Sequence, residues 1–205
     1  MSAIDAIFFI AILIMSVVIH EISHGFVAEQ YGDKTARHAG RLTLNPIVHL
    51  DFFGSILLPA FLYFTTGFAF GWAKPVPYNP DNLSPRKMGN IAVAAAGVVA
   101  NLFIAIFFGL ILRFTLHSQM SEGFYLIISS IVKLNLALAI FNLVPIPPLD
   151  GSKIIFPLLP KSLDSIISTI EQYSFIFLII FIVFFLEYLY PILTFLFHFI
   201  TGASF

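Results

Sequence analysis

Residues 17–25 read Val17-Val18-Ile19-His20-Glu21-Ile22-Ser23-His24-Gly25. They lie inside an apolar run from about Ile4 to about Val27, long enough as a helix to cross a hydrocarbon core of ~30 Å. Two imidazoles and a carboxylate at that depth are costly, and such groups point to function, usually with a partner nearby. The spacing is H-E-x-x-H. On a helix it brings His20 and His24 to one face, one turn apart, where both can bind a single Zn²⁺. Glu21 projects beside them, placed to act as a base. The competing structural reading is that these polar groups satisfy one another within a helical bundle.

The rest of the chain agrees with a membrane setting. Of 205 residues, 59% are hydrophobic and 10% are charged, and the mean hydropathy is +0.97. A net charge of −1 gives no footprint for a nucleic-acid partner. Cysteine is absent, which excludes disulfides, thiolate zinc ligands and a cysteine nucleophile. Any metal must be held by His, Asp or Glu. The first apolar run lacks a basic leader and carries the motif itself, so it reads as a retained span. The expected fold is an all-α polytopic membrane protein with about four transmembrane helices, a re-entrant apolar segment and a short β-like membrane-associated stretch. Residues 1–205 are expected to form one membrane domain, with a core at about 4–155 and a C-terminal helix at about 174–200.

The spans expected after the first are Met88 to Leu112, Phe124 to Val144 and Ser174 to Ile200, the last kinked at Pro191. Gly40 and Pro46 bracket the alternating, strand-like run Arg41-Leu42-Thr43-Leu44-Asn45. Its edge is a candidate for pairing with an unwound substrate segment. The apolar stretch 52–70 is interrupted by Pro59 and Gly67, and a proline-rich connector, Gly71-Trp72-Ala73-Lys74-Pro75-Val76-Pro77-Tyr78-Asn79-Pro80, follows. If 52–70 dips in and returns, Lys34, Arg37, Arg41, Lys74, Arg86, Lys87, Lys153 and Lys161 all share one face. The positive-inside rule then makes that face cytosolic.

A catalytic zinc usually keeps three protein ligands and an open position. Candidates for the third are Asp150, His49, Asp51, His117 and His198. Asp150 is favoured because Pro145, Pro147 and Pro148 end a helix just before it. Irregular backbone at membrane depth must be buried in protein or line a wet cavity, and a hydrolytic site needs both. The bland alternative is an ordinary turn. Lys133 and Glu187, the other intramembrane charges, are expected to pair.

His20-Glu21-Ile22-Ser23-His24, followed by Asn142-Leu143-Val144-Pro145-Ile146-Pro147-Pro148-Leu149-Asp150-Gly151 at the end of a later span, resembles the site-2 proteases. These are zinc metalloproteases that cut substrates within the membrane. The resemblance covers roughly residues 15–155, in the minimal form without PDZ or nucleotide-sensing modules. It implies that His20, His24 and Asp150 ligate one Zn²⁺ per chain, that Glu21 is the catalytic carboxylate, and that the site opens toward the cytosol. It gives roles to Asn142 and to Asn101, the latter ending Gly97-Val98-Val99-Ala100-Asn101, with Val98 where the family often has proline. Either amide could steady an oxyanion or simply hydrogen-bond between helices. The implied partner is a transmembrane substrate in the bacterial cell membrane, such as an anti-sigma or pro-sigma factor. A metal transporter, the reading from another class, would need a ligand path to both faces, and none is visible.

Overall fold

The computed structural model describes residues 3–66, 71, 73–115, 120–203 and 205. Three long apolar helices carry the architecture. These are α1 (Ala3–Gln30), α4 (Arg86–Phe114) and α5 (Glu122–Asn142). At 1.5 Å per residue the shortest of them is about 31 Å long, enough to cross the hydrocarbon layer. Between α1 and α4 lie the short α2 (Thr35–His38) and α3 (Leu58–Thr66). After α5 come α6 (Asp150–Ile155), α7 (Asp164–Gln172), α8 (Ser174–Phe184) and α9 (Tyr190–Thr201).

α4 is the central element, packed on α1 along one side and on α5 along another. Its buried positions Gly89, Val93, Gly97, Asn101, Ala105 and Gly109 recur every fourth residue. That row is mostly small, and small residues are what let helices approach closely where lipid leaves no hydrophobic drive between them. At its far end Ala105 and Leu112 join Ile128, Val132, Leu136 and Phe197 in the main apolar cluster.

The chain between α1 and α4 folds back on itself. Gly32 and Gly40 take positive φ (106° and 66°) in the turns after α1 and α2, where other residues would be strained. Asp33, fully buried, then gathers the Thr35 amide and hydroxyl, the Asn79 amide and the Asn82 side chain. The excursion through α3 begins and ends at one place, because the Lys74 amide donates to the His49 carbonyl at 2.9 Å. Gly71 also lies against the Gly54 carbonyl and the Pro59 ring. Both ends of the stretch therefore lie together, as a re-entrant segment requires. Residues 67–70 and Trp72 fall outside the described residues.

Three expectations are corrected. Arg41–Asn45 is a series of bends, and no strand occurs among the described residues. Short side-chain bonds take over its backbone. The Thr43 hydroxyl accepts from the Asn45 amide, Asn45 caps the turn Pro46–His49 through the Ile47 amide, and His49 Nε2 donates to the Thr43 carbonyl. The C-terminal stretch is broken before Pro191, not merely kinked at it. A short 3₁₀ turn, Leu186–Leu189, separates α8 from α9, and Pro191 sits in the first turn of α9, where its missing N–H costs nothing. α7 and α8 meet at 76°, so among the described residues three helices are long and apolar enough to cross a membrane, or four if that bent pair counts as one. Lys133 makes no ion pair with Glu187. Its ammonium lies over the rings of Phe197 and Phe205, at 5.0 and 4.1 Å.

Candidate metal centre

His20 and His24 project from one face of α1, as the four-residue spacing dictates, with ring centroids 4.7 Å apart and planes at 85°. Asp150 opens α6 directly opposite. Its Oδ2 lies 3.1 Å from His20 Nε2 and 3.3 Å from His24 Nε2. The three ligand atoms fall within 4.8 Å of one another, and all three residues are buried.

Local chemistry brings Asp150 there. α5 ends at Asn142, and the following turn closes through the Ile146 amide on the Val144 carbonyl and the Leu149 amide on the Ile146 carbonyl. Gly151 is required by contact. A Cβ at that position would sit 2.1 Å from the Leu143 carbonyl oxygen. Without a side chain, the end of α5 rests directly on the start of α6. Beside this turn a cavity of about 560 Å³ is lined by Pro147, Pro148 and Ser152 together with Arg86, Lys87 and Lys153.

The far side of each imidazole decides what the near side can do. His24 Nδ1 lies 2.6 Å from the Val93 carbonyl, and His20 Nδ1 lies 2.6 Å from Asn101 Oδ1. Both partners accept, so both Nδ1 atoms carry hydrogen. In the neutral rings the Nε2 lone pairs then converge on a carboxylate oxygen that is buried and has no hydrogen-bond partner. Such a convergence is repulsive unless positive charge sits within it. The donor set is two imidazoles and a carboxylate, and donors bound at 2.0–2.1 Å around a tetrahedral zinc lie about 3.3 Å apart. The residues present fit Zn²⁺.

Glu21 sits one residue beyond His20, and its Oε2 accepts from the Val76 amide at 2.8 Å. The connector is held there by Arg41, whose Nη2 donates to the Lys74 carbonyl at 2.7 Å. Val76 itself packs on Gly25, where any Cβ would collide with it. The proline-rich connector is thus a wall of the site.

The remaining sequence candidates separate clearly. His49 and Asp51 serve local turns, His49 bonding the Thr43 carbonyl and Asp51 capping the Gly54 amide. His198 contacts the Ala203 carbonyl, and His117 lies outside the described residues. Asn142 donates one amide hydrogen to Leu138 of its own helix. Asn101 is fully buried with its oxygen toward His20, and its amide nitrogen faces Asn135 and the Ser16 carbonyl. It therefore offers no spare donor to an oxyanion. Asn135 and Ser16 were not singled out from sequence. Within an apolar span, Asn135 was the signal that could have found them.

Comparison with known proteins gives the chain a family. Peptidase family M50 matches residues 116–186. The chain is 41% identical over 178 residues to "Putative zinc metalloprotease YwhC" of Bacillus subtilis, covering 83% of this chain and 78% of that protein. It is 32% identical over 146 residues to MJ0611 of Methanocaldococcus jannaschii, covering 67% and 63%. It is 28% identical over 173 residues to Rip2 of Mycolicibacterium smegmatis, covering 83% and 64%. Both of these carry the same designation, and the chain spans just under two thirds of each. No solved structure matches. The chain belongs to peptidase family M50, the zinc metalloproteases of the site-2 protease type.

Proposed function

We propose that this metalloprotease hydrolyses a peptide bond in or near a transmembrane segment of a membrane-protein substrate, with Glu21 as general base. The observation that carries the reading is the convergence of His20 Nε2, His24 Nε2 and Asp150 Oδ2 on one point within a membrane-crossing helix bundle. His20, His24 and Asp150 hold the zinc. When bound, the ion supplies Lewis acidity, which polarises a peptide carbonyl and makes water acidic enough to lose a proton near neutral pH. Glu21 takes that proton and passes it to the leaving amine nitrogen. The Val76 amide holds Glu21 in place during both transfers. Asn142 retains one uncommitted N–H beside the Asp150 turn and is the better of the two asparagines for an oxyanion donor. Asn101 instead orients His20.

The site opens toward the cytosol in this reading. Support comes from the Lys74–His49 bond, which returns the α3 excursion to its own starting face. That arrangement puts eight of the ten Lys and Arg residues on one side. Residues 1–205 act as one intramembrane metalloprotease unit, with one zinc.

The test is zinc content and cleavage of a single-span substrate in detergent, wild type against Glu21→Gln. Retained zinc with cleavage lowered by about 10²–10⁴-fold is expected for loss of a general base. Wild-type protein that takes up no zinc would overturn the reading.

A further inference from the structure

Behind the metal ligands, a chain of buried polar groups crosses all three spans. Ser16 lies on α1, Asn101 on α4 and Asn135 on α5, exposed by 4%, 0% and 0%. The Asn101 amide nitrogen lies 2.7 Å from Asn135 Oδ1 and 3.4 Å from the Ser16 carbonyl. The Asn135 amide nitrogen lies 2.9 Å from both the Ser16 hydroxyl and the Ile131 carbonyl. At the end of the chain, Asn101 Oδ1 meets His20 Nδ1.

Two backbone carbonyls set the direction of this chain. A carbonyl can only accept. The Ile131 carbonyl therefore requires the nitrogen of Asn135, which turns Asn135 Oδ1 toward Asn101. The Ser16 carbonyl and Asn135 Oδ1 together require the nitrogen of Asn101, which turns Asn101 Oδ1 toward His20. With Asn101 flipped, an N–H would face His20 Nδ1 and force the ring proton onto Nε2. That proton would occupy the place a metal needs.

We propose that Asn135, assisted by Ser16, is a positioning residue of the metal centre, fixing Asn101 in the single amide orientation that leaves the His20 Nε2 lone pair open. This rests on the zinc-site reading above. Asn135 touches neither metal nor substrate and acts through two intermediate side chains. The competing account is that the network only fastens three helices together. The two differ in one observable, because a fastener affects stability while an orienting residue affects the metal.

The experiment measures zinc affinity by chelator competition on folded, detergent-purified full-length protein, with the visible spectrum of the Co²⁺ form as a second readout. Thermal unfolding of each metal-free variant reports fastening separately. Asn135→Leu removes the acceptor that orients Asn101, and zinc affinity should fall by about tenfold, the lower end for loss of a ligand's hydrogen-bond partner. Asn135→Asp restores affinity to near wild type, because a protonated carboxyl can donate to the Ile131 carbonyl and accept from Asn101. Ser16→Ala removes one hydroxyl and keeps the backbone carbonyl, so about a threefold loss is expected, smaller than for a direct partner. Should Asn135→Leu fail to fold, the Ser16→Ala and Asn135→Asp pair carries the test. Lowered melting with unchanged zinc affinity and Co²⁺ spectrum in every folded variant overturns the proposal and leaves the helix-fastening account. Absence of zinc from the wild type would instead overturn the site reading itself.

Discussion

His20 Nδ1 and Asn101 Oδ1 lie 2.6 Å apart although 81 residues separate them in the chain. This one bond joins α1 to α4 and sets which nitrogen of His20 faces Asp150. Partners of this kind raise ligand basicity and hold ring orientation, and their loss typically costs 10–100-fold in metal affinity. Asn101→Leu is therefore expected to weaken zinc binding by about that factor. Asn101→Asp, which keeps an accepting oxygen toward His20 Nδ1, should bind zinc more tightly than the leucine variant. Chelator competition on both proteins checks the order.

Gly97 faces His20 so closely that an added Cβ would lie 2.5 Å from the ring. Either the ring or α4 must move. Gly97→Ala should cost about 1–3 kcal/mol through overpacking and should reduce zinc content, since His20 is the group displaced. Thermal unfolding read alongside metal analysis tests this. A variant that melts like wild type and carries full zinc would contradict the packing described.

The Val76 amide is a donor to Glu21, and proline in its place has no N–H. Hydrogen bonds to charged groups contribute about 1.5–3 kcal/mol, which corresponds to roughly 10–100-fold in rate. Val76→Pro should lower turnover within that range while zinc content stays normal. Val76→Ala, which keeps the amide, should lose much less. Equal cleavage by both variants would show that the connector does not hold Glu21.

Asp33 lies in the turn after α1, outside the spans. Burial pushes its carboxyl upward, but the bonds from Asn82, Thr35 and the Asn79 amide outweigh this and hold it below its ordinary value of 3.8. The sign follows from the folded state favouring the carboxylate. Its contribution is fully present above the unfolded value and is lost as pH falls through the lower folded value. Stability should therefore decline below about pH 4. Asp33→Asn should remove this acid-side loss and destabilise at neutral pH by on the order of 2 kcal/mol. Denaturation midpoints between pH 3 and 7 for both proteins decide it.

Much of this molecule was legible in sequence because its strongest signals are local. A helical turn alone puts His20 and His24 on one face. Apolar run length alone located α1, α4 and α5, to within about three residues at each end. The prolines ahead of Asp150 marked where a helix had to stop. The strand-like alternation at Arg41–Asn45 misled, because a period of two describes a strand only when another strand pairs with it. Here the Thr43 and Asn45 side chains bond the backbone first. The charge pair expected between Lys133 and Glu187 failed for a related reason. Partner choice depends on where the bent C-terminal helices lie, and they bring aromatic rings to the ammonium.

What the chain order could not decide is how the three spans meet. Sequence offered five candidates for the third ligand, and only the docking of α6 on α4 brings Asp150 to the histidines. Sequence left Asn101 either an oxyanion donor or a hydrogen-bonding link between helices, and the tertiary structure shows the link. Its hydrogens are claimed by Ser16 and Asn135 from two other helices, leaving an oxygen for His20. The physical reason is that an amide has one accepting end and one donating end. Which end faces a neighbour is settled only when every buried group around it has found a partner.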